Sequence, residues 1–180
     1  ECQMKRVYLD HAATTPVRKE VLKAMMPFLA DTFGNPGSIH AEGISARGAV
    51  RSAREKIASI IHVTPEEIIF TGGGTEAINL AIFGAAKFYS DILKNVGMSR
   101  GHLITSKIEH HAVLHSMQAL EKEDFEVTYL DVDEYGTVKP EDVKKALRPD
   151  TILVSIMYAN NEIGTIQPIS EIVKVIRDFR

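Results

Sequence analysis

The sequence is short of several things at once. It has a single cysteine, Cys2, in 180 residues. No internal disulfide can form, so a small disulfide scaffold is excluded and a reducing, cytoplasmic compartment fits. No apolar run is long enough to span a bilayer. The opening, Glu1-Cys2-Gln3-Met4, has no apolar stretch of the kind a secretory signal carries. Met4 reads as the natural start, with residues 1–3 a minor extension. An excess of one charge is lacking too: 21 Lys and Arg against 24 Asp and Glu leave a net −3. That balance does not call for a nucleic-acid or membrane-surface partner. Repeats, low-complexity tracts and evident linkers are also missing. What is present is ordinary, with 44% hydrophobic and 25% charged residues. Those fractions exclude a disordered or collagen-like chain and suit one core of about single-domain size.

Helices and strands alternate along the chain. A helix is predicted over 18–30, with Pro27 expected to kink or end it. Residues 31–43 carry the glycine and proline chemistry of a loop. Apolar residues from Ala46 to Ile61 fall at helical spacing and predict a helix over 45–62. Thr64-Pro65 reads as the capped start of a short helical turn. Ile68-Ile69-Phe70 reads as a short buried strand running into a helix over 75–90. Further strands are predicted at 102–106, 125–131 and 151–157, and helices at 111–122, 140–147 and from 170 onward. The run at 151–157 is apolar throughout, as expected of a strand buried on both faces of a parallel sheet. The pattern is that of an α/β fold with a mostly parallel sheet flanked by helices.

Four loops hold possible chemistry. Thr71-Gly72-Gly73-Gly74-Thr75 joins a strand to a helix. Glycines let a ligand approach the backbone, and a helix start offers free N–H groups to an anion. A tight turn explains the same letters. No lysine completes a P-loop, and Ser106-Lys107 supplies no acid for the ribose of a dinucleotide. A smaller phosphate-bearing cofactor fits better. Glu109-His110-His111 follows the strand at 102–106, on the sheet edge where α/β proteins bind ligands. A histidine there can move a proton or stack on a ring, or simply begin a helix. A metal set of His110, His111 and His115 is the weaker reading, since no carboxylate completes the pattern. Asn160-Asn161-Glu162-Ile163-Gly164 follows the last strand, and an asparagine amide there could bond a ligand carboxylate or ring substituent. Phe33 to His40 composes a loop that reads as structural. Three of the four follow strands and converge on one edge, which points to a site for a phosphate-bearing small molecule.

The four segments together resemble one family. Leu9-Asp10-His11-Ala12-Ala13-Thr14-Thr15-Pro16, Phe33 to His40, Thr71 to Leu80 and Ala159 to Gly164 stand in the order and spacing of the NifS/IscS-like cysteine desulfurases. These belong to the class V aminotransferases. The resemblance implies a fold-type I enzyme using pyridoxal 5'-phosphate, here with an incomplete large domain. It makes residues 1–17 an arm or small-domain segment and 18–180 the first part of the cofactor-binding domain. Carried over by motif, Gly74 and Thr75 hold the phosphate. His110 stacks on the pyridine ring and assists proton transfer, as the catalytic residue. Asn161 lies beside the ring hydroxyl and the substrate carboxylate. The implied reaction takes L-cysteine to L-alanine and leaves the sulfur as a persulfide on a mobile cysteine. A homodimer and iron–sulfur scaffolds, or other sulfur acceptors, are the implied partners.

The pattern also has gaps. The family's Schiff-base lysine stands in a Ser-x-His-Lys setting that no lysine of this sequence occupies. Lys107 belongs to the strand end and reads as structural. The sulfur-accepting cysteine would also lie further on, and Cys2 lacks the positioned, electropositive setting of a reactive thiol. The chain therefore reads as an N-terminal part, inactive by itself. Another class V enzyme, an aminotransferase or a selenocysteine lyase, is one alternative. A non-catalytic fragment that binds or dimerises is another.

Overall fold

A computed structural model describes residues 6–95, 97 and 100–179. Cys2 and the expected start at Met4 fall outside them. The chain divides into two compact units, Glu1–Phe70 and Thr71–Arg180. No helix of the described residues is long and apolar enough to cross a membrane.

The first unit holds α1 (Lys19–Ala30), α2 (Ala41–Ile61) and a 3₁₀ turn at Pro65–Glu67. Pro27 lies inside α1 and the helix ends one turn later, with the Asp31 N–H returned to the Pro27 carbonyl at 2.9 Å. α2 begins four residues earlier than its apolar spacing predicts. His40 caps it, Nδ1 accepting the Gly43 N–H at 3.3 Å. The loop ahead of it closes on itself: Asn35 accepts the Gly37 N–H on its side chain (2.9 Å) and the Ser38 N–H on its carbonyl (2.9 Å).

The expected strand at 68–70 is absent. Ile69 and Phe70 are 67% and 47% exposed, and no ladder forms. A strand needs a neighbour, and the described residues supply none. Instead the Arg54 guanidinium donates to the Ile68 carbonyl and lies 4.9 Å over the Phe70 ring.

The second unit is an α/β layer structure. It runs α3 (Gly74–Asn95), β1 (His102–Ser106), α4 (His111–Glu121), β2 (Glu126–Leu130), α5 (Pro140–Ala146), β3 (Thr151–Ser155) and α6 (Ile169–Phe179). The three strands pair in parallel, in the order β2-β1-β3. β1 is central and wholly buried. Its alternate side chains feed two cores. Leu103 packs with Ile82, Val113, Met117 and Leu120 of α3 and α4, while Ile104 packs with Val143 of α5 and Ile172 of α6. β3 is half-buried along its length and stops at Ser155. The expectation of a strand to 157 buried on both faces is corrected. β3 is an edge strand here, and the chain beyond Ser155 turns into a loop.

At the start of β1, His102 ties the three strands together. Its buried ring bonds the Thr151 hydroxyl through Nδ1 and the Thr128 hydroxyl through Nε2, both at 2.8 Å. Beside it Arg148 grips Asp150 (2.9 and 2.6 Å) and Glu126. Burial, helped by the Arg148 charge, holds the His102 pKa below its ordinary value. The Arg148 guanidinium holds the Asp150 carboxyl below the usual range.

Candidate active site

The sequence-predicted groups gather at the other end of the sheet. α3 packs on α4. The Ser116 hydroxyl donates to Asn79 Oδ1 (2.7 Å), and further along both segments Lys87 faces Glu123 (3.9 Å). The two contacts advance in the same chain direction, so α3 and α4 run parallel and start at the same end. α4 begins just after the C-terminal end of β1. Gly74 and Thr75, the first residues of α3, therefore lie at the C-terminal sheet edge with His110, the N-cap of α4.

The start of α3 is open. The first backbone N–H groups of a helix have no intrahelical partner. A Cβ built on Gly73 or Gly74 meets nothing within 4 Å, and neither residue has a positive φ. Neither backbone shape nor neighbours demand glycine there. What glycine provides is bare backbone facing outward. The loop is otherwise trimmed from inside, with the Thr71 hydroxyl on the Gly73 carbonyl (3.1 Å) and the Gly72 N–H on Glu76 Oε2 (2.5 Å).

His110 is exposed, and its Nδ1 accepts the Ala112 N–H at 3.1 Å. With Nδ1 occupied as an acceptor, the neutral ring carries its proton on Nε2. His111 and His115 stack on each other with centroids 5.5 Å apart. Among the described residues no three His, Cys, Asp or Glu side chains are grouped to hold a metal ion. Lys107 pairs with Asp131 at 2.6 Å, a strand-end ion pair.

The loop after β3 is closed by its own bonds. Asn160 Oδ1 accepts the Glu162 and Ile163 N–H groups (2.8 and 3.0 Å), and Asn160 Nδ2 donates to the Ile108 carbonyl (3.0 Å). Asn160 is thus committed to structure. Asn161 is exposed and makes no side-chain bond among the described residues. His110 and Asn161 line one recess of about 270 Å³, with Glu109 and Asn160 in its wall. A larger hollow of about 550 Å³ follows the open edge of β3, away from these groups.

In the sequence Glu109 stands out only as the neighbour of His110. It is buried, and its Oε1 accepts both the Ser106 hydroxyl and the Met157 N–H at 2.8 Å. Burial pushes its pKa up, against the two hydrogen bonds that pull it down. No signal in the sequence marks this role, because the partner amide is remote in the chain.

Comparison with known proteins bears on this arrangement. Residues 7–180 match the class V aminotransferase family model. The cysteine desulfurase IscS of Dictyoglomus turgidum is 58% identical over 177 residues, which are 98% of this chain and 43% of that protein. The putative cysteine desulfurase IscS 1 of Bacillus subtilis is 51% identical, over 98% of this chain and 45% of its own. Among solved structures, a NifS-like protein matches with TM-score 0.90 and 41% identity, over 97% of this chain and 46% of its own. SspA in complex with cysteine matches with TM-score 0.87 and 43% identity, over 96% and 48%. The chain thus spans a little under half the length of these relatives. The parallel sheet with flanking helices is the expected α/β architecture, that of an incomplete fold-type I domain. The chain belongs to the class V aminotransferase family.

Proposed function

We propose that the protein is a pyridoxal 5'-phosphate-dependent cysteine desulfurase. It takes sulfur from L-cysteine, releases L-alanine, and carries the sulfur as a cysteine persulfide to acceptors such as iron–sulfur scaffolds. A homodimer in the cytoplasm is the working form. One observation carries the reading: an open glycine-rich helix start at the same sheet edge as a recess lined by the exposed His110 ring and the exposed Asn161 amide. It occurs in a chain more than half identical to relatives named cysteine desulfurases.

The residues suit the cofactor. A phosphate dianion is matched by the unpaired N–H groups and positive end of α3, so Gly74 and Thr75 are assigned to hold it. Asn161 is assigned to the ring hydroxyl and the substrate carboxylate. His110 is assigned to the ring face and to proton transfer. In the neutral ring Nε2 carries the proton, which makes it the atom that can donate to a reacting group. The bound cofactor would supply an electron sink for the substrate's α-carbon.

The test uses the full-length protein with pyridoxal 5'-phosphate and L-cysteine. With a dithiol reductant present to release the persulfide sulfur as sulfide, alanine and sulfide formed in equal amounts are expected, and His110→Ala should remove most of the activity while the cofactor stays bound. Amino transfer to an oxo acid without sulfur release would overturn the reading. For Thr75→Ala, weaker cofactor retention is expected in equilibrium dialysis, and unaltered retention would remove the phosphate assignment.

A further inference from the structure

We propose that Glu109 is the positioning residue of this site, holding His110 and Asn161 in register by joining the ends of β1 and β3 through one carboxylate oxygen. The inference rests on the cofactor reading above and deepens it. His110 directly follows Glu109. Asn161 lies just beyond Met157, whose N–H the same carboxylate accepts at 2.8 Å. Neither His110 nor Asn161 belongs to a sheet ladder, so strand pairing alone does not place them. Two links cross between their loops: the Met157 N–H donates to Glu109 Oε1, and Asn160 Nδ2 donates to the Ile108 carbonyl at 3.0 Å. The Ser106 hydroxyl, at the last residue of β1, orients the carboxylate from below at 2.8 Å. Loop, carboxylate and strand end form one cross-braced unit.

Glu109 makes both bonds with Oε1, as acceptor of an N–H and an O–H. A carboxamide oxygen accepts the same two bonds. The role is therefore geometric: glutamine can replace glutamate, whereas alanine cannot. Leaving a buried amide and hydroxyl without their acceptor frees the two loops to separate. Gly74 and Thr75 lie on α3, outside the brace, which gives an internal control.

The experiment compares Glu109→Ala, Glu109→Gln and Ser106→Ala with the parent in the full chain. Affinity for pyridoxal 5'-phosphate is read by absorbance, and affinity for inorganic phosphate by ³¹P NMR. The His110 ring and the Asn161 amide are followed by ¹H–¹⁵N NMR. Glu109→Ala should weaken pyridoxal 5'-phosphate about tenfold, the equivalent of one lost hydrogen bond to a positioned group, with phosphate affinity unchanged. Glu109→Gln should restore it. If Glu109→Ala does not fold, Ser106→Ala, which removes one bond only, should show a smaller loss with the same selectivity. Equal loss of both ligands, unchanged cofactor affinity, or a glutamine variant as poor as alanine would each overturn the proposal. If the parent binds no pyridoxal 5'-phosphate, the cofactor reading falls by itself. The brace is then decided by the His110 and Asn161 signals, which should move in the alanine variant and return in the glutamine one.

Discussion

Two glycine-bearing turns of this chain look alike as letters and have opposite causes. In the first unit a Cβ on Gly34 would stand 2.2 Å from the Glu42 carbonyl oxygen, and one on Gly43 would stand 2.5 Å from that of Ser38. These glycines are demanded from within, because the loop at 34–38 rests directly on the first turn of α2. In the second unit Gly73 and Gly74 would meet nothing. They leave backbone bare toward the outside. Glycine thus marks close packing in one place and, in the functional reading, a ligand's approach in the other.

The largest effect is expected at Gly43. Gly43→Ala forces a methyl against backbone, and should cost about 1–3 kcal/mol, the range of an overpacked site. Urea unfolding of the first unit would measure it, and phosphate affinity should not change. Gly74→Ala should do the reverse. Stability should stay level or rise by about 0.5 kcal/mol, since alanine favours the helix. Phosphate affinity should fall about tenfold as the methyl blocks the approach. If both variants lose stability alike, the two turns have one cause and the distinction is void.

The same division, satisfied inside against open outside, decided what the sequence made legible. The predicted and observed ranges of β1 coincide at 102–106: Leu103 and Ile104 mark its buried middle, and the exposed Lys107 follows where the strand emerges. The strand expected at 68–70 failed because three apolar residues say nothing of a partner far away in the chain. β3 ends two residues short of its predicted range. Ile156 and Met157 are apolar, but the Met157 N–H goes to Glu109 rather than to a ladder. Gly74, Thr75, His110 and Asn161 are assigned through motifs, each of which is contiguous in the chain and needs no fold to be read. Glu109 could not be read so, because a carboxylate between a strand and a histidine looks like a solvent-facing one. Its burial depends on an amide brought beside it only by the fold.

Acid should sharpen the contrast between the two ends of β1. At the start of the strand His102 is neutral in the fold, with its pKa held below 6.5. The unfolded chain takes up the proton first as pH falls. The His102 contribution is therefore complete above pH 6.5 and lost progressively below it, toward the depressed folded value. Asp150, held low by Arg148, adds a second loss at lower pH, as the carboxyl passes through its own folded value. Hydrogen exchange at the β1 amides should accelerate as pH drops below 6.5, after correction for intrinsic rates. His102→Gln should flatten that part of the profile. A profile unchanged by the substitution would remove His102 as its source.

The smallest effect is expected at the other end, where the sign reverses. The Glu109 pKa is raised by burial, so the folded chain binds a proton more tightly than the unfolded one. Between the ordinary carboxylate value and the raised one, stability falls as pH rises. At neutral pH the ionised group carries a cost that its two hydrogen bonds only partly offset. Glu109→Gln keeps an acceptor for Ser106 and Met157 and has no charge to desolvate. It should leave the midpoint of urea unfolding at pH 7 unchanged or slightly higher, by less than about 1 kcal/mol. At pH 4, where the carboxyl is protonated, the parent should equal or exceed the variant. A glutamine variant clearly less stable at pH 7 would mean that the carboxylate is held by its charge. The brace between β1 and β3 would then be electrostatic, not a matter of one well-placed oxygen.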